Sequence, residues 1–339
     1  MTTAFNETFS PGQFFGSYHI VKRLGAGAAG EVLLVDAPMR NRQFALKVLR
    51  TRDLDRDSGT IERFIREAEF AMKNTHPHIV PVYDAGMDEE TGYCYLAMEY
   101  MAYGSLAGII ADNPRGLGVA RALDIGRQIA EALVMLERNS LVHRDVKPGN
   151  ILVSGDGSVK LSDLGISLFR RDGENAAHCT NCGETIGTPA YMAPEQMLDA
   201  HNVDIRADIY SFGIILYEML TGKRPNHGNS AMTTLARQLE GMRFQDIASV
   251  RKDIPAELAK LVNCMIDPEP EMRPRTAIEV LTKLQGISAK PPSLGSCEKD
   301  GIGTKAKSVD KMFLYSIFAA FGAFCFLAFA VYRILKGGR

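Results

Sequence analysis

Apolar and polar positions follow two different periods along the chain. Residues 17–100 contain short runs in which apolar residues alternate with polar ones, which predicts β-strands, and one stretch with helical spacing. Residues 105–286 carry mostly helical spacing around a loop-rich middle. The apolar positions of the single helical stretch in the first part are Phe64, Ala68, Ala71 and Met72. The pattern therefore predicts an α+β protein in which a β-rich part precedes a larger helical part.

The pattern changes again towards the C-terminus. Residues 288–311 are rich in Lys, Gly, Ser and Pro, a composition that buries little apolar surface and is typical of a linker. Residues 313–332 are 20 residues without a charge. As a helix they would span about 30 Å, the thickness of the hydrocarbon core of a bilayer. We therefore expect one transmembrane helix over residues 312–333 and a short tail over residues 334–339; a buried core helix is the alternative.

The composition narrows the classes of function. With 339 residues and a formal net charge of −1, the chain suits one large or two-lobed domain with short appendages, and it has no basic excess with which to bind nucleic acid. The six cysteines are scattered, which favours a reducing compartment for the main domain. Residues 1–16 have neither a basic start nor a long apolar run, so we expect a loose leader there and no cleaved export signal.

A glycine-rich segment lies between two β-like stretches. Gly25, Gly27 and Gly30 follow the spacing GxGxxG, and Val32 follows two residues later. Glycines let backbone amides approach phosphate oxygens without a side chain in the way. Dinucleotide-binding folds share this spacing, but there the segment opens a helix. The β-like sequence after Gly30 favours a hairpin that covers phosphates; a plain glycine-rich turn is the alternative.

A lysine lies on the next predicted strand. Lys47 alternates with apolar neighbours, so its side chain would point into a cleft, although a solvent-facing strand lysine is the alternative. A carboxylate on the predicted helix could pair with it and direct its ammonium group towards phosphates. Spacing alone leaves three candidates for that carboxylate, Glu62, Glu67 and Glu69.

The segment with the most specific chemistry covers residues 143–150. It places five polar or charged groups within eight residues, directly between two apolar runs. Asp145 can accept the proton of a hydroxyl group, Lys147 can neutralise charge on a phosphoryl group, and Asn150 can hold a metal ion through its amide oxygen. Asp163, after another apolar strand, would supply a second oxygen ligand.

These motifs, in this order, resemble the protein kinase superfamily, and most of all the bacterial, membrane-anchored Ser/Thr kinases of eukaryotic type. The resemblance covers roughly residues 18–286 and also includes residues 187–195, residues 208–213, Arg273 and Pro274. It implies an α+β, bilobal protein kinase fold over residues 17–287. The small β-rich N-lobe with one helix would cover residues 17–101, and the larger, mainly helical C-lobe would cover residues 102–287.

The resemblance also implies a role for each motif residue. Asp145 would be the catalytic base, assisted by Lys147 and by Lys47, which would contact phosphates and pair with Glu67. Mg²⁺, with Mn²⁺ as an alternative, would be held by Asn150 and Asp163. Met98 would be the gatekeeper, at the start of the hinge to adenine. ATP would be bound by Leu24, Gly25, Ala26, Gly27, Ala28, Ala29, Gly30, Glu31, Val32, Ala45, Lys47, Glu67, Met98, Glu99 and Met101.

Two supporting contacts follow from the resemblance. Glu195 and Arg273 would form a buried ion pair that braces the large lobe, and loss of either partner would cost roughly 3–5 kcal/mol. Asp208 would brace the catalytic loop from a hydrophobic helix. Leu164 stands where the family usually has Phe, a change that leaves metal binding by Asp163 intact.

The activation segment implied by the resemblance covers residues 163–195. Phosphorylation there would add negative charge that Arg144 could pair with, and the candidate acceptors are Thr180, Thr185 and, less favoured, Ser167. Ordinary polar loop residues are the alternative. Cys179 and Cys182 lie beside His178 in the same segment, but three local ligands fall short of the four that zinc prefers.

The expected activity is transfer of the γ-phosphoryl group of Mg-ATP to Ser or Thr hydroxyls of protein substrates. Lys147 and Thr188 imply Ser/Thr specificity, and self-association would allow trans-autophosphorylation. The basic tail favours a cytoplasmic C-terminus, but a domain that uses ATP must itself be cytoplasmic, so we expect a single-pass membrane protein with a cytoplasmic kinase domain. The alternatives are a membrane-tethered pseudokinase scaffold and a small-molecule kinase, against which Thr188 and residues 193–195 argue.

Overall fold

The structure is a computed structural model, and it describes residues 9–27, 30–37, 42–49, 60–88, 91–163, 189–199, 202–225 and 230–288. Its strands are β1 (Phe14–Phe15), β2 (Tyr18–Gly27), β3 (Gly30–Ala37), β4 (Arg42–Leu49), β5 (Val82–Met87), β6 (Cys94–Glu99), β7 (Ile151–Val153) and β8 (Val159–Leu161). Its helices are α1 (Thr60–Lys73), α2 (Leu106–Ala111), α3 (Val119–Arg138), α4 (Pro194–Leu198), α5 (Ile205–Thr221), α6 (Ala231–Leu239), α7 (Ile247–Val250), α8 (Ala256–Met265) and α9 (Ala277–Gly286).

An antiparallel sheet with the strand order β1-β2-β3-β4-β6-β5 forms the first lobe. Alternation of apolar and polar residues gives each strand a buried face, and Ile20, Leu33, Leu46 and Ala97 meet on one side of the sheet. In a second cluster, Ala68 and Ala71 of α1 pack with Leu49 and Leu96. The prediction of a β-rich lobe with one helix is confirmed for the described residues.

The leader predicted over residues 1–16 differs from the structure at its C-terminal end. Strand β1 pairs with β2, with Phe14 opposite His19 and Phe15 opposite Tyr18. Phe15 is buried, and Phe9 packs against the same apolar cluster of the sheet. Residues 9–16 therefore belong to the first lobe, because burial of the two aromatic side chains against the sheet is more favourable than their exposure to water in a loose leader.

The second lobe is helical, with α5 at its centre. Nearly every side chain of α5 is buried, and α3, α8 and α9 contribute to the same apolar core. A helix that is apolar on all sides lies inside a protein rather than on its surface. The two-stranded sheet of β7 and β8 lies at the edge of this lobe, where Leu161 exchanges backbone hydrogen bonds with His78 and Val80. The β8 edge thus joins the two lobes.

Among the described residues, no helix has both the length and the apolar character needed to cross a membrane. The linker predicted over residues 288–311 lies outside the described residues except for Ser288, and the segments predicted over residues 312–333 and 334–339 lie wholly outside them.

Candidate active site

The loop between α3 and β7 carries the predicted catalytic residues and is held from beneath by α5. The carboxylate of Asp208 accepts the backbone N–H groups of His143, at 2.6 Å, and Arg144, at 2.8 Å. The ring of His143 is buried, and its Nε2 lies 2.8 Å from the backbone oxygen of Ser162. The prediction that Asp208 braces the catalytic loop is confirmed.

Asp208 has no exposed surface. Burial raises the pKa of its carboxyl group, and the backbone N–H groups of His143 and Arg144 only partly oppose that rise. The pKa of Asp208 therefore lies above its ordinary value. Two short hydrogen bonds to one carboxylate make this an anchor for the loop backbone rather than a group that reaches a ligand.

Two predicted site residues, Lys147 and Asn150, converge on one carboxylate oxygen of a third, Asp145. Asp145 Oδ2 accepts Lys147 Nζ at 2.8 Å and Asn150 Nδ2 at 3.0 Å. The same Nδ2 also donates to the backbone oxygen of Asp145, at 2.9 Å. Both amide hydrogens of Asn150 are thereby used on Asp145, which leaves its Oδ1 as the atom of that side chain with which to bind a cation.

Asn150 is linked by hydrogen bonds to Ser162, the residue directly before Asp163. The backbone oxygen of Asn150 accepts both the N–H of Ser162, at 2.8 Å, and its hydroxyl group, at 2.9 Å. The structure therefore brings the two predicted metal ligands to one edge of β7 and β8. An amide oxygen and a carboxylate are the hard oxygen donors that Mg²⁺ and other divalent cations prefer, so this donor set fits such an ion.

Lys47 reaches from the first lobe to the second. Its Nζ lies 2.8 Å from Asp163 Oδ1. Burial would raise the pKa of Asp163, but the charge and hydrogen bond of Lys47, with smaller contributions from His143 and Lys147, outweigh burial and bring this pKa below its ordinary value. The side chain of Glu67 lies outside the described part of α1, so its pairing with Lys47 stays a prediction.

The glycine-rich segment forms a hairpin, as predicted. Strands β2 and β3 pair in antiparallel fashion up to Gly27 and Gly30, while Ala28 and Ala29 lie outside the described residues. Gly30 has φ 146°, and a Cβ there would overlap the backbone oxygen of Val48. Only glycine fits against β4 at that position. A Cβ at Gly25, in contrast, would meet no described heavy atom within 4 Å.

An apolar cluster lies beneath the hairpin. Ala45, Val80 and Met98 are buried together, and the partly buried Val32, Met101 and Leu152 pack against them. This group contains four of the predicted ATP-binding residues, Val32, Ala45, Met98 and Met101. It also contains Val80 and Leu152, which were not predicted from the sequence. The continuous apolar run Ile-Leu-Val after Asn150 was the signal for Leu152, because in a strand the middle side chain points to the face opposite that of its two neighbours.

The predicted hinge residue Glu99 forms an ion pair across the lobes. Lys160 Nζ of β8 lies 2.5 Å from Glu99 Oε2, and Arg42 Nη2 of β4 lies 4.0 Å from Glu99 Oε1. The side chains of Lys160 and Glu99 are mostly buried. Lys160 was also missed, because a lysine between two apolar strand residues is typical of a solvent-facing position.

Two further predicted ATP-binding residues lie on the hairpin. Leu24, at the hairpin entrance, is partly exposed, and Glu31 is buried in β3.

Glu195 and Arg273 form the predicted ion pair. Arg273 Nη1 lies 2.6 Å from Glu195 Oε1, and Nη2 lies 2.9 Å from Oε2, so the contact is bidentate. The Arg273 side chain has no exposed surface, whereas that of Glu195 is 25% exposed. The pair is confirmed, but only its arginine is fully buried. Arg273 also donates to the backbone oxygens of Asp267, Arg206 and Pro268.

Several predictions about the activation segment concern residues outside the described part of the chain. These residues are Leu164, Ser167, His178, Cys179, Thr180, Cys182, Thr185 and Thr188. Their proposed roles stay predictions. The described end of the segment, residues 189–195, lies against α5, where Ser211 Oγ donates to the backbone oxygen of Tyr191 at 2.8 Å.

Comparison with known proteins finds one matching family model and relatives that bear the names of serine/threonine-protein kinases. The model of a family described as "Protein kinase domain" matches residues 18–283. A probable serine/threonine-protein kinase of Clostridium acetobutylicum is 34% identical over 274 residues, which cover 80% of this chain and 40% of that protein. The serine/threonine-protein kinase PknB of Mycobacterium tuberculosis is 34% identical over 287 residues, which cover 84% of this chain and 45% of that protein. The chain thus spans less than half the length of these two curated relatives.

Solved structures agree with the fold. The crystal structure of the Mycobacterium tuberculosis PknI kinase domain superposes with a TM-score of 0.62 at 28% sequence identity. The match covers 82% of this chain and 99% of that kinase domain. A two-lobed arrangement with a β-sheet lobe and a helical lobe is therefore shared with a solved structure over most of the chain.

Proposed function

Because the chain belongs to the protein kinase family, we propose that it transfers the γ-phosphoryl group of ATP to Ser or Thr hydroxyl groups of protein substrates. The names of its relatives, serine/threonine-protein kinases, support this specificity. The observation that carries the proposal is the convergence of Lys147 and Asn150 on one carboxylate oxygen of Asp145. Such an arrangement combines a proton acceptor, a flexible lysine side chain with its positive charge, and an amide that could bind a metal ion within one loop.

The proposed chemistry assigns one task to each group. Asp145 orients the substrate hydroxyl and accepts its proton while the hydroxyl oxygen bonds to the γ-phosphorus and the bond to the bridging oxygen of ADP breaks. Lys147, now paired with Asp145, offers its ammonium group to the charge on the transferred phosphoryl group. Lys47 binds phosphate oxygens of the nucleotide from the opposite lobe. The rate gain comes from alignment and charge stabilisation.

The proposed scheme includes a divalent cation, supported by the hydrogen bonds that join Asn150 to Ser162, the residue before Asp163. Asn150 Oδ1 and the carboxylate of Asp163 would hold it, with Mg²⁺ as the proposed ion and Mn²⁺ as a substitute. The ion would neutralise charge on the phosphates of the nucleotide. Lys47 would exchange part of its contact with Asp163 for contacts to the nucleotide, since its ammonium group has three donors.

Phosphate transfer by the full chain, purified in detergent, tests the proposal. With radiolabelled ATP and a generic basic protein, Asp145→Asn should lower the rate by about 10²–10⁴-fold, because the proton acceptor is lost. Asp156→Asn is the matched control, since Asp156 lies in the exposed turn between β7 and β8 and bonds to Ser158. Wild-type rate in the Asp145→Asn protein would contradict the assignment of Asp145.

Lys47→Met tests the contribution of the first lobe. We expect a loss of about 100-fold or more in transfer, because a charge directed at the phosphates is removed. Lys73→Met removes a lysine from the exposed end of α1, where it pairs with Glu69 at 3.3 Å, and should leave the rate unchanged. Equal effects of the two substitutions would rule out the proposed role of Lys47.

We also propose that residues 313–332 anchor the chain in a membrane with the kinase domain on the cytoplasmic side. Support comes from the 20 uncharged residues and the polar linker before them. The full chain should stay in the membrane pellet after an alkaline carbonate wash, whereas a chain ending at residue 290 should not. In sealed inside-out vesicles, protease should digest the kinase domain. Release of the full chain by carbonate would argue against the anchor.

Self-association for trans-autophosphorylation is a further part of the proposal. Thr180 and Thr185 are the favoured acceptors, since a phosphate there could pair with Arg144. When wild-type chain is mixed with a tagged Asp145→Asn chain, the tagged chain should acquire phosphate, and Thr180→Ala with Thr185→Ala in the tagged chain should remove it. Label confined to the wild-type chain would indicate that transfer occurs only within one molecule.

A further inference from the structure

A buried glutamine connects the end of the activation segment to the catalytic loop. Gln196 lies in α4 and is only 6% exposed. Its Nε2 donates to the backbone oxygen of Arg144 at 3.0 Å, and its Oε1 accepts the backbone N–H of Ala193 at 3.2 Å. One side chain therefore satisfies a backbone acceptor of the catalytic loop and a backbone donor of residues 189–195.

The acceptor of this bond lies at a strained position. Arg144 has φ 66°, a left-handed conformation that non-glycine residues rarely adopt. Its backbone is held on both sides, because Asp208 Oδ1 accepts its N–H at 2.8 Å and Gln196 donates to its oxygen. A strained conformation persists only where surrounding contacts fix it.

The oxygen of Arg144 belongs to the same peptide group as the N–H of Asp145. That N–H donates to His143 Nδ1 at 3.3 Å. Because a peptide group is planar, contacts at its oxygen and at its N–H together fix its orientation. Gln196 and His143 therefore hold the peptide group that leads directly into Asp145, and the direction of the Asp145 side chain depends on that group.

We propose that Gln196 is a positioning residue that couples the described end of the activation segment, residues 189–195, to Asp145 through the backbone of Arg144. The inference rests on the proposed phosphoryl transfer. Gln196 contacts neither nucleotide nor substrate; it keeps the peptide group before Asp145 in the orientation that aligns the carboxylate with a bound hydroxyl group. A shift of residues 189–195 is then transmitted to Asp145 through the side chain of Gln196.

Two substitutions separate this role from simple packing. Gln196→Glu keeps an oxygen to accept the Ala193 N–H but replaces the donor to Arg144 by an oxygen. Gln196→Met keeps the volume and removes both polar contacts. The matched control is Gln238→Met, since Gln238 is also buried in the second lobe but donates to the hydroxyl group of Tyr210 instead of to the catalytic loop.

The kinetic readout is kcat against KM in the full chain. Both Gln196 variants should lower kcat by about 10- to 100-fold, because a small misplacement of Asp145 is costly, while KM for ATP changes less than about twofold. Gln238→Met should leave kcat unchanged even where it lowers Tm. Wild-type kcat in Gln196→Glu, or an equal loss in Gln238→Met, would overturn the inference.

Amide hydrogen exchange provides a readout that does not depend on activity. Peptides covering residues 143–150 should exchange faster in both Gln196 variants than in wild type, and residues 256–286 should not. Unchanged exchange over residues 143–150 would also overturn the inference. A wild-type chain that transfers no phosphate would contradict the proposed function, whereas active Gln196 variants beside an active wild type would contradict only the role of Gln196.

Discussion

The carboxylate of Asp208 accepts the backbone N–H of Arg144 at 2.8 Å, across 64 positions of sequence. Asp208 is completely buried in α5, the central and almost wholly buried helix of the second lobe, and Arg144 adopts a left-handed backbone conformation. An aspartate in such surroundings is costly unless its oxygens are hydrogen-bonded. The catalytic loop provides those bonds, so the loop and the core helix stabilise each other.

Asp208→Asn should weaken both the loop and the fold. In wild type, each of the two backbone N–H groups donates to its own oxygen of Asp208. The asparagine amide has only one oxygen, so one N–H loses its acceptor and the free energy of unfolding should fall by about 1–3 kcal/mol. We expect kcat to fall by roughly tenfold or more, because the backbone before Asp145 loses an anchor. Denaturant unfolding and steady-state kinetics check both effects.

The control for that substitution lies on the same helix. Asp204→Asn changes the exposed N-cap of α5, and asparagine caps helices about as well as aspartate. It should leave kcat unchanged and alter stability by less than about 0.5 kcal/mol. If Asp208→Asn behaved like Asp204→Asn, the anchoring role of Asp208 would be wrong.

The glycine hairpin contains two glycines that should respond differently to alanine. At Gly30 a Cβ would overlap the backbone oxygen of Val48, so Gly30→Ala should destabilise the domain by about 1–3 kcal/mol or more. At Gly25 the Cβ would meet open space among the described residues, so Gly25→Ala should leave stability within about 0.5 kcal/mol and act only on KM for ATP. Thermal unfolding with and without ATP distinguishes them.

The pair of Glu195 and Arg273 should show the cost of a buried charge left alone. Glu195→Ala leaves the fully buried guanidinium group of Arg273 without its counter-charge, so we expect a loss of about 3–5 kcal/mol in the free energy of unfolding. Glu69→Ala breaks an exposed pair with Lys73 and should cost less than about 1 kcal/mol. Similar losses in the two variants would show that burial of Arg273 does not govern the effect.

Glu218 should make stability depend on pH. Burial raises the pKa of its carboxyl group above the ordinary 4.5, and the hydroxyl of Tyr191, at 2.5 Å, and the charge of Arg224 only partly oppose this. A folded-state pKa above the unfolded value means that the folded protein binds more protons, so this contribution to stability is lost as pH rises through the folded-state pKa.

Glu218→Gln removes that titration while keeping an acceptor for Tyr191. The Tm of the variant relative to wild type should therefore increase as pH rises above about 4.5, the ordinary pKa of the group. Parallel melting curves over a pH series measure the difference. A Tm difference that decreases with rising pH would mean that the pKa of Glu218 is lowered by folding instead of raised.

Much of the site could be predicted because its parts are close in sequence. Asp145, Lys147 and Asn150 lie within six positions, so a single loop keeps them close to one another. The anchoring role of Asp208 came from the family resemblance and not from any local pattern. The same is true of the pair of Glu195 and Arg273.

The missed residues depend on contacts that no local pattern encodes. Lys160 lies 61 positions from Glu99, and its strand alternates as an exposed strand would, so only the packing of β8 against the hinge reveals the pair. Val80 and Leu152 are ordinary apolar residues until the lobes place them beside Ala45 and Met98. The early strand β1 was missed because two residues are too short to show a period.

The backbone oxygen of Asn150, shared by the N–H and hydroxyl of Ser162, has a consequence for turnover. It joins the backbone of Asn150 to Ser162, the residue before Asp163, within one lobe, so main-chain geometry fixes the spacing of the backbone that carries the two proposed cation ligands. Under the proposed function, separation of the two lobes to release ADP would carry Lys47 away but leave the backbones of Asn150 and Asp163 in register. Under the proposed function, the backbone that supports the cation site would therefore keep its geometry from one cycle to the next.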